Sequence, residues 1–404
     1  MKKTIEFTEA RDLLLSLASP VEAERAALAG CAGRVLAQDL IAEENIPPFD
    51  RSPYDGYAFR AEDTQPASRE QPVTFEIIEE VSAGAVPTKA VTPGTAVKIL
   101  TGAPIPAGAD CVCMYERTQF TKETVTLFAP IAPGENVVRA GEDVKKGAVL
   151  ARRGDVIDTG IAGTLASQGE AFPLVYRRLR VGVISTGNEV VETEKPLMPG
   201  KIHNSNRHTL TAALQKEGME PVYLGLAGDE VQNIARLIAL GLESCDAVLL
   251  TGGVSAGDYD LTPDAMEQAG IELLVRGVNL KPGMACAYGV KDGKPVCGLS
   301  GNPASALMNF YCIALPALRK MAGMGKPVPD EITLTLKNSF SKKSKGTRIL
   351  RGKLDLSDGT ARMVVPDDQG NVVLSSTIGC NVMAIVPAGS GALPAGTVLK
   401  GFML

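Results

Sequence analysis

Between residues 179 and 322, short apolar runs alternate with segments long enough to be helices, and few folds accept that pattern. Leu179–Ser185 (LRVGVIS), Val222–Ala227 and Asp246–Leu250 read as strands. Asn206–Gly218, Asp229–Gly241, Thr262–Gly270 and a long stretch from Pro303 to Met321 read as helices. A strand without a polar face must be covered on both sides. Strands of that kind alternating with helices predict a doubly wound parallel sheet. Ile271–Val275, Ala285–Gly289 and Lys294–Gly298 add further strands, the last two flanking the tight-turn pair Asp292-Gly293.

Open sheets of this class bind ligands beyond the carboxyl ends of their strands. Five loops fall there: Ser185-Thr186-Gly187-Asn188-Glu189, Ala227-Gly228-Asp229-Glu230, Thr251–Asp260, Lys281-Pro282-Gly283 and Ser300-Gly301-Asn302-Pro303. The third follows a fully apolar run, in AVLLTGGVSAGDYD. Its small residues, Thr251, Gly252, Gly253 and Ser255, let backbone N–H groups approach an anion. Asp258 and Asp260 offer oxygens of the kind Mg²⁺ prefers. The same stretch also fits a tight strand–loop–helix turn with two solvated acids, and Asp229 equally fits a helix N-cap. Asn302-Pro303 is a strong helix start, and the helix that follows can aim its N-terminus at a phosphate.

The flanking regions differ in character. A chain of 404 residues should hold two to four domains. Residues 8–18 predict an amphipathic helix with Thr8 as N-cap, and Val21–Ala29 a second helical piece. Residues 73–138 alternate apolar and polar with frequent Gly and Pro, which predicts β structure. Pro47–Arg60, PPFDRSPYDGYAFR, reads as a β-hairpin or as a loop offering Asp50, Ser52 and Asp55 to a polar ligand. Thr101-Gly102-Ala103-Pro104 and Arg139–Asp143 are polar turns of the same region. Residues 328–404 return to short strands, a small β domain resembling a partly open barrel. Arg348 and Arg351 lie there on opposite faces of one strand, and Arg348 is expected to bind substrate. The expected fold is therefore multidomain, α/β plus β. An elongated linking domain (1–46 with 141–178) surrounds a β-rich insert (47–140). The doubly wound α/β domain follows (179–326), then a small β-barrel-like domain (327–404).

Composition excludes several classes. A net charge of −5 argues against non-specific nucleic-acid binding. No apolar run approaches the length of a membrane helix, and the N-terminus lacks the apolar core of a signal peptide, so a cytoplasmic protein is expected. The eight cysteines form no C-x-x-C, and several sit in apolar runs, which predicts buried free thiols. Two histidines without paired spacing leave little basis for a His-based metal site.

The motifs PPFDRSPYDGYAFR, ILTGAPIP, RAGED, STGNEV, LTGGVSAGDYD, LKPG and GLSGNPASA, in that order, resemble the molybdopterin molybdotransferase family, the MoeA family that includes the gephyrin E-domain. The resemblance spans nearly the whole chain. It implies a homodimer that inserts molybdate into adenylylated molybdopterin, requires Mg²⁺, releases AMP and receives its substrate from a molybdopterin adenylyltransferase. It implies that Asp229 and Asp260 help hold the metal and phosphates, that Glu189 and Asp55 shape the molybdate and pterin site, and that all four are catalytic. It implies that Thr101 and Asp143 are polar neighbours, that Lys281 contacts an anion, and that Ser300 to Pro303 form the loop at the helix start.

Three positions depart from the family pattern. Met284 stands where a second lysine is common, Ser300 where proline is usual, and Asn188 where an acid is common. Losing one cation from an anion pocket costs about 1–3 kcal/mol, unless Arg276 replaces it. The departures bear on whether molybdate or tungstate is preferred. A non-catalytic dimeric scaffold or pterin-binding protein on the same fold is the rival reading. A hydrolase of the CinA type, which shares the glycine loop, lacks the two β domains.

Overall fold

In a computed structural model, residues 1–255, 261–357 and 359–404 are described. Asp258 and Asp260, two of the sequence candidates, lie outside the described residues. The chain forms two compact units. One comprises Met1–Gln38, Arg153–Thr159 and Phe172–Leu404, the other Asp39–Arg152 and Gly160–Ala171.

The first unit is built on a seven-stranded sheet. Its order is Lys2–Glu6, Glu272–Asn279, Ala287–Lys291, Lys294–Leu299, Ala247–Thr251, Arg180–Thr186 and Glu220–Ala227. Side chains alternate across it, as strand geometry requires. Val181, Val183 and Leu249 pack against the helices Phe7–Leu17, Ser205–Lys216 and the long helix starting at Pro303. Ile184, Val248 and Leu250 pack on the opposite face against Val231–Ser244 and Thr262–Gln268. Covered on both faces, Val248, Leu249 and Leu250 are fully buried. Burial of each such side chain contributes roughly 1.5–3 kcal/mol, which is why these strands show no polar face in sequence.

Several expectations need correction. The sheet is not wholly parallel, because Ala287–Lys291 runs antiparallel to both neighbours. Asp292 and Gly293, both with positive φ, form the two-residue turn that makes it a hairpin with Lys294–Leu299. The strand Lys2–Glu6 pairs with Glu272–Asn279, so the start of the chain joins the α/β sheet rather than the linking segment. Its exposed, lysine-rich pattern carries no hydrophobic signal. The helix after it begins at Phe7, with Glu6 and not Thr8 in the N-cap position. The expected helix over Val21–Ala29 is absent apart from a single 3-10 turn at Leu28–Gly30: Ala23–Arg25 pairs with Leu174–Tyr176, a partner 149 positions away along the register Leu174 to Arg25, which local propensity cannot foresee. The long helix is interrupted by a π turn at Phe310–Ala314.

The C-terminal strands Ile332–Leu336, Arg362–Val364, Arg348–Asp355, Val382–Val386 and Val398–Met403 close into a barrel rather than a partly open one. Leu334, Leu350, Met363, Val382 and Ala384 fill it. Closure leaves no free strand edge.

The second unit carries a six-stranded mixed sheet. Tyr57, Phe59 and Phe75 form its aromatic core, with Phe59 and Phe75 edge-to-face at 4.9 Å. Among the described residues, no helix is long and apolar enough to cross a membrane.

Candidate active site

The strands Arg180–Thr186, Glu220–Ala227, Ala247–Thr251 and Lys294–Leu299 are parallel neighbours, so their carboxyl ends share one edge. From Arg180–Thr186 the chain passes over one face to Glu220–Ala227. It then returns over the other face to Ala247–Thr251, on the opposite side of the starting strand. The connections diverge there, and such switch points leave a crevice. A cleft of ≈ 550 Å³ opens at that place. It is lined by Ser185, Thr186, Gly187, Glu189, Asp229, Thr251, Gly252, Gly253, Ser255, Ser300, Gly301, Asn302 and Pro303, with Asn204 to Asn206 at a helix start. Ten sequence candidates thus meet in one space, from loops up to 114 residues apart (189 to 303). Another cleft of the first unit, ≈ 500 Å³, holds several arginines. Its charges are largely spent on one another, as in Arg177–Asp246 and Arg180–Glu220.

Glycines shape the cleft. Gly252 has φ +103°, and a Cβ there would lie 2.4 Å from Thr186 Oγ1. Gly187 has φ +129°, and a Cβ there would lie 2.6 Å from Glu189 Oε2. The Glu189 carboxylate therefore folds back over bare backbone. It is exposed and has no hydrogen-bond or ion-pair partner among the described residues.

Asp229 is not the helix N-cap. Glu230 takes that position, and Asp229 closes a reciprocal clasp with Asn188. The Asn188 N–H donates to Asp229 Oδ2 at 3.0 Å, and the Asp229 N–H donates to Asn188 Oδ1 at 3.2 Å. An aspartate at 188 could still accept the Asp229 N–H, but it would add a negative charge beside the Asp229 carboxylate.

Two helices begin at the cleft. Asn204 caps Ser205–Lys216, accepting the Arg207 N–H at 3.1 Å. The helix at Pro303 starts beside Ser300, whose hydroxyl accepts the Asn302 N–H at 3.3 Å. Each N-terminus presents roughly half a positive charge, a setting for phosphate, although at the second Pro303 has no N–H and the Ala304 N–H is taken by Asn371 O.

Sequence reasoning missed the asparagines. Asn309 is fully buried; its Nδ2 donates to Gly283 O at 2.7 Å and its Oδ1 accepts the Ser300 N–H at 3.4 Å. It thereby ties the Lys281-Pro282-Gly283 loop to the Ser300 loop. Its signal was a polar residue inside an otherwise apolar helix, next to the π turn.

Lys281 is exposed and pairs by backbone with Arg348, but neither lines the cleft. Arg348 is buried, bonded to Ser344 at 2.8 Å, and lies 5.4 Å from the Phe340 ring. Burial lowers its pKa. Arg351 is fully buried, and its Nη1 has no partner among the described residues. Its Nη2 holds the Gly370 carbonyl at 2.8 Å. That segment reaches the cleft: Asn371 O accepts the Ala304 N–H at 3.1 Å, and Val372 lines the wall. Arg351, rather than Arg348, is therefore the arginine linked to the cleft wall.

The second unit gathers its own polar turns. The Thr101 N–H and hydroxyl each donate to Asp55 Oδ1 at 2.7 Å. These bonds, the backbone one first, hold the Asp55 carboxyl below its ordinary range. Asp50 accepts the Ala140 N–H at 2.8 Å and pairs with Arg139 at 2.6 Å, which also lowers its pKa. Asp143 is exposed at the end of that turn, its N–H donating to Ile46 O at 3.0 Å. Asp55, Thr101 and Asp143 thus lie on bonded loops of one unit, and Glu189 and Asp229 in the cleft of the other.

The fold and cleft define an α/β protein whose sheet edge suits a phosphate-bearing ligand. Residues 5–169 match the family described as MoeA N-terminal region (domain I and II), and residues 182–320 match one described as probable molybdopterin binding domain. A molybdopterin molybdenumtransferase of Staphylococcus aureus is 34% identical over 395 residues, covering 98% of this chain and 94% of that protein. One of Staphylococcus epidermidis is 34% identical over 367 residues, covering 91% and 88%. A crystal structure of a molybdopterin biosynthesis MoeA protein from Pyrococcus horikoshii has a TM-score of 0.84 at 31% identity and covers 99% of both chains. The chain belongs to the MoeA family of molybdenum cofactor biosynthesis.

Proposed function

We propose that this chain is a molybdopterin molybdotransferase: it inserts molybdate into adenylylated molybdopterin and releases AMP. The observation that carries the reading is the cleft at the switch point. There two helix N-termini, glycine-loop backbone and two carboxylates converge. The helix starts suit the substrate's phosphates. The Thr251–Ser255 loop packs tightly on Thr186 at Gly252 and lines the same cleft.

Mg²⁺ fits the donor set. It is usually held by one or two carboxylates plus substrate phosphates rather than by an all-protein cage. Glu189 and Asp229, both lining the cleft, supply hard oxygens. Asp229, and Asp260 by family resemblance, would hold the ion, which would neutralise charge as the phosphoanhydride link breaks. The Asn188 clasp keeps Asp229 oriented. Glu189, folded over Gly187, would orient a reacting oxygen. We further propose that the active form is a homodimer and that a molybdopterin adenylyltransferase hands over the substrate.

The test is AMP release from adenylylated molybdopterin, with molybdate and tungstate side by side and with Mg²⁺ present or chelated. Wild type should release AMP only with Mg²⁺ and an oxyanion. Glu189→Gln and Asp229→Asn should each lower the rate at least tenfold, a loss of about 1.4 kcal/mol in barrier stabilisation, with an unchanged far-UV spectrum. Pterin binding without turnover in wild type would refute the transferase reading.

A further inference from the structure

We propose that Glu192 is a positioning residue: it anchors the excursion carrying Glu189 and so sets where that carboxylate stands. The proposal rests on the molybdotransferase reading for Glu189, while the anchoring is a property of the chain that can be measured on its own.

Between the strand Arg180–Thr186 and the helix Ser205–Lys216 the chain makes a long excursion. Its two short strands, Val190–Val191 and Ile202–His203, pair with each other. The Ile202 N–H donates to the Glu189 carbonyl at 2.9 Å, and the Asn204 N–H to the Val191 carbonyl at 2.8 Å. Residues 193–200 are exposed, so the ribbon gains little from apolar burial. A ribbon of this size is not stable by itself and needs ties to the body.

Glu192 supplies such a tie, three residues after Glu189 and just beyond the other end of the strand Val190–Val191. Its Oε2 accepts from Arg207 Nη1 at 2.7 Å, on the helix. Its Oε1 accepts from the Tyr223 hydroxyl, on the strand Glu220–Ala227, and from Asn204 Nδ2 at 3.3 Å. The donors are themselves locked. The Arg207 guanidinium lies 4.0 Å from the centroid of the Tyr223 ring, a cation–π contact. Asn204 Nδ2 also donates to the Tyr223 oxygen at 3.2 Å. Asn204 Oδ1 accepts the Ser185 hydroxyl at 3.0 Å, and both Ser185 and Asn204 line the cleft. One carboxylate thus joins the ribbon, the capped helix and the edge strand, and it touches the cleft lining through Asn204. Burial opposes its ionisation, but the bonds from Tyr223, Arg207 and Asn204 outweigh that and hold its pKa below the ordinary value. A solvated acid on an exposed loop would have none of these partners.

The experiment compares wild type, Glu192→Ala and Glu192→Gln by amide hydrogen exchange and by AMP release. In Glu192→Ala, exchange across residues 188–203 should rise at least tenfold, while the central strand Ala247–Thr251 stays protected as in wild type. The kcat should fall at least tenfold with KM for adenylylated molybdopterin within threefold. Glu192→Gln, which keeps an acceptor for Tyr223, should recover most of the rate. In a Glu189→Gln background, Glu192→Ala should cost little more, because both changes act through one carboxylate. Unchanged exchange over 188–203, or an undiminished further loss of rate in the Glu189→Gln background, would overturn the proposal. If Glu192→Ala does not fold, Tyr223→Phe removes one donor and serves in the same comparison. A wild-type chain that releases no AMP overturns the functional reading instead, and the exchange data alone then decide whether Glu192 is the anchor.

Discussion

Replacing Gly252 by alanine tests the cleft through its backbone. At φ +103° an L-residue is strained, at a cost of about 1–3 kcal/mol. The new Cβ would also stand 2.4 Å from Thr186 Oγ1 and 3.0 Å from the Thr186 carbonyl. Those atoms end a central strand whose hydroxyl donates to Thr251 O at 3.1 Å, so relief requires moving a strand end or the loop. Overpacking of that kind costs about 1–3 kcal/mol more. The sum is roughly 2–6 kcal/mol.

Gly293→Ala is the control: φ there is +76°, but a Cβ meets nothing within 4 Å, so only the backbone cost applies. Both variants are compared by urea denaturation, followed by far-UV circular dichroism because the chain has no tryptophan. The transition in which the α/β unit unfolds is the one analysed. Gly252→Ala should lose about 1–3 kcal/mol more than Gly293→Ala. Since Thr186 and Gly252 both line the cleft, kcat/KM for AMP release should fall at least tenfold in Gly252→Ala alone. Equal stability loss in the two variants, with full activity in Gly252→Ala, would refute the argument that this glycine is required by close approach.

Three further outcomes are expected. Thr101→Val removes one of the two bonds that depress the Asp55 carboxyl. A depressed carboxyl favours the folded arrangement at pH above its unfolded value, and that preference is lost as pH falls through the folded value. Carbon-13 NMR should therefore show Asp55 titrating at higher pH in Thr101→Val, and an unmoved midpoint would count against the Thr101 bond as a cause. Asn309→Asp leaves the Gly283 carbonyl without its donor inside a fully buried site, which should cost about 1–3 kcal/mol. A loss under about 0.5 kcal/mol by urea denaturation, the scatter of surface substitutions, would contradict the clip between the two loops. Seven cysteines are buried and Cys380 is half-buried. Burial raises the thiol pKa at Cys111, Cys286, Cys297 and Cys312 to about 12. A thiol reagent should therefore modify native protein at Cys380 first and the rest only on unfolding, as peptide mass analysis would show.

The sequence was sufficient wherever the physics is local. Apolar runs such as Ala247–Thr251 marked the buried strands, Asn302-Pro303 marked a helix start, and glycines beside polar residues marked the loops at the sheet edge. It pointed to loops that meet in the cleft, because parallel strands end at one edge, but it also put Lys281 there, which does not line the cleft, and it missed Asn204 and Val372, which do. Other features depended on partners distant in sequence. Lys2–Glu6 became a strand only by pairing with Glu272–Asn279, and Ala23–Arg25 only by meeting Leu174–Tyr176. Asp229 fitted a helix cap as well as a ligand loop until the loop carrying Asn188 bonded to it. Arg348 was the arginine expected at the substrate, whereas the barrel and the 368–376 segment bury it against Ser344 and link Arg351 to the cleft wall instead. Glu192 and Asn309 carried little signal, since a lone acid or amide acquires its role from the donors and acceptors that tertiary packing brings to it. Periodicity and turn chemistry are written in neighbouring residues, whereas hydrogen-bond satisfaction across loops is settled only when the chain closes on itself.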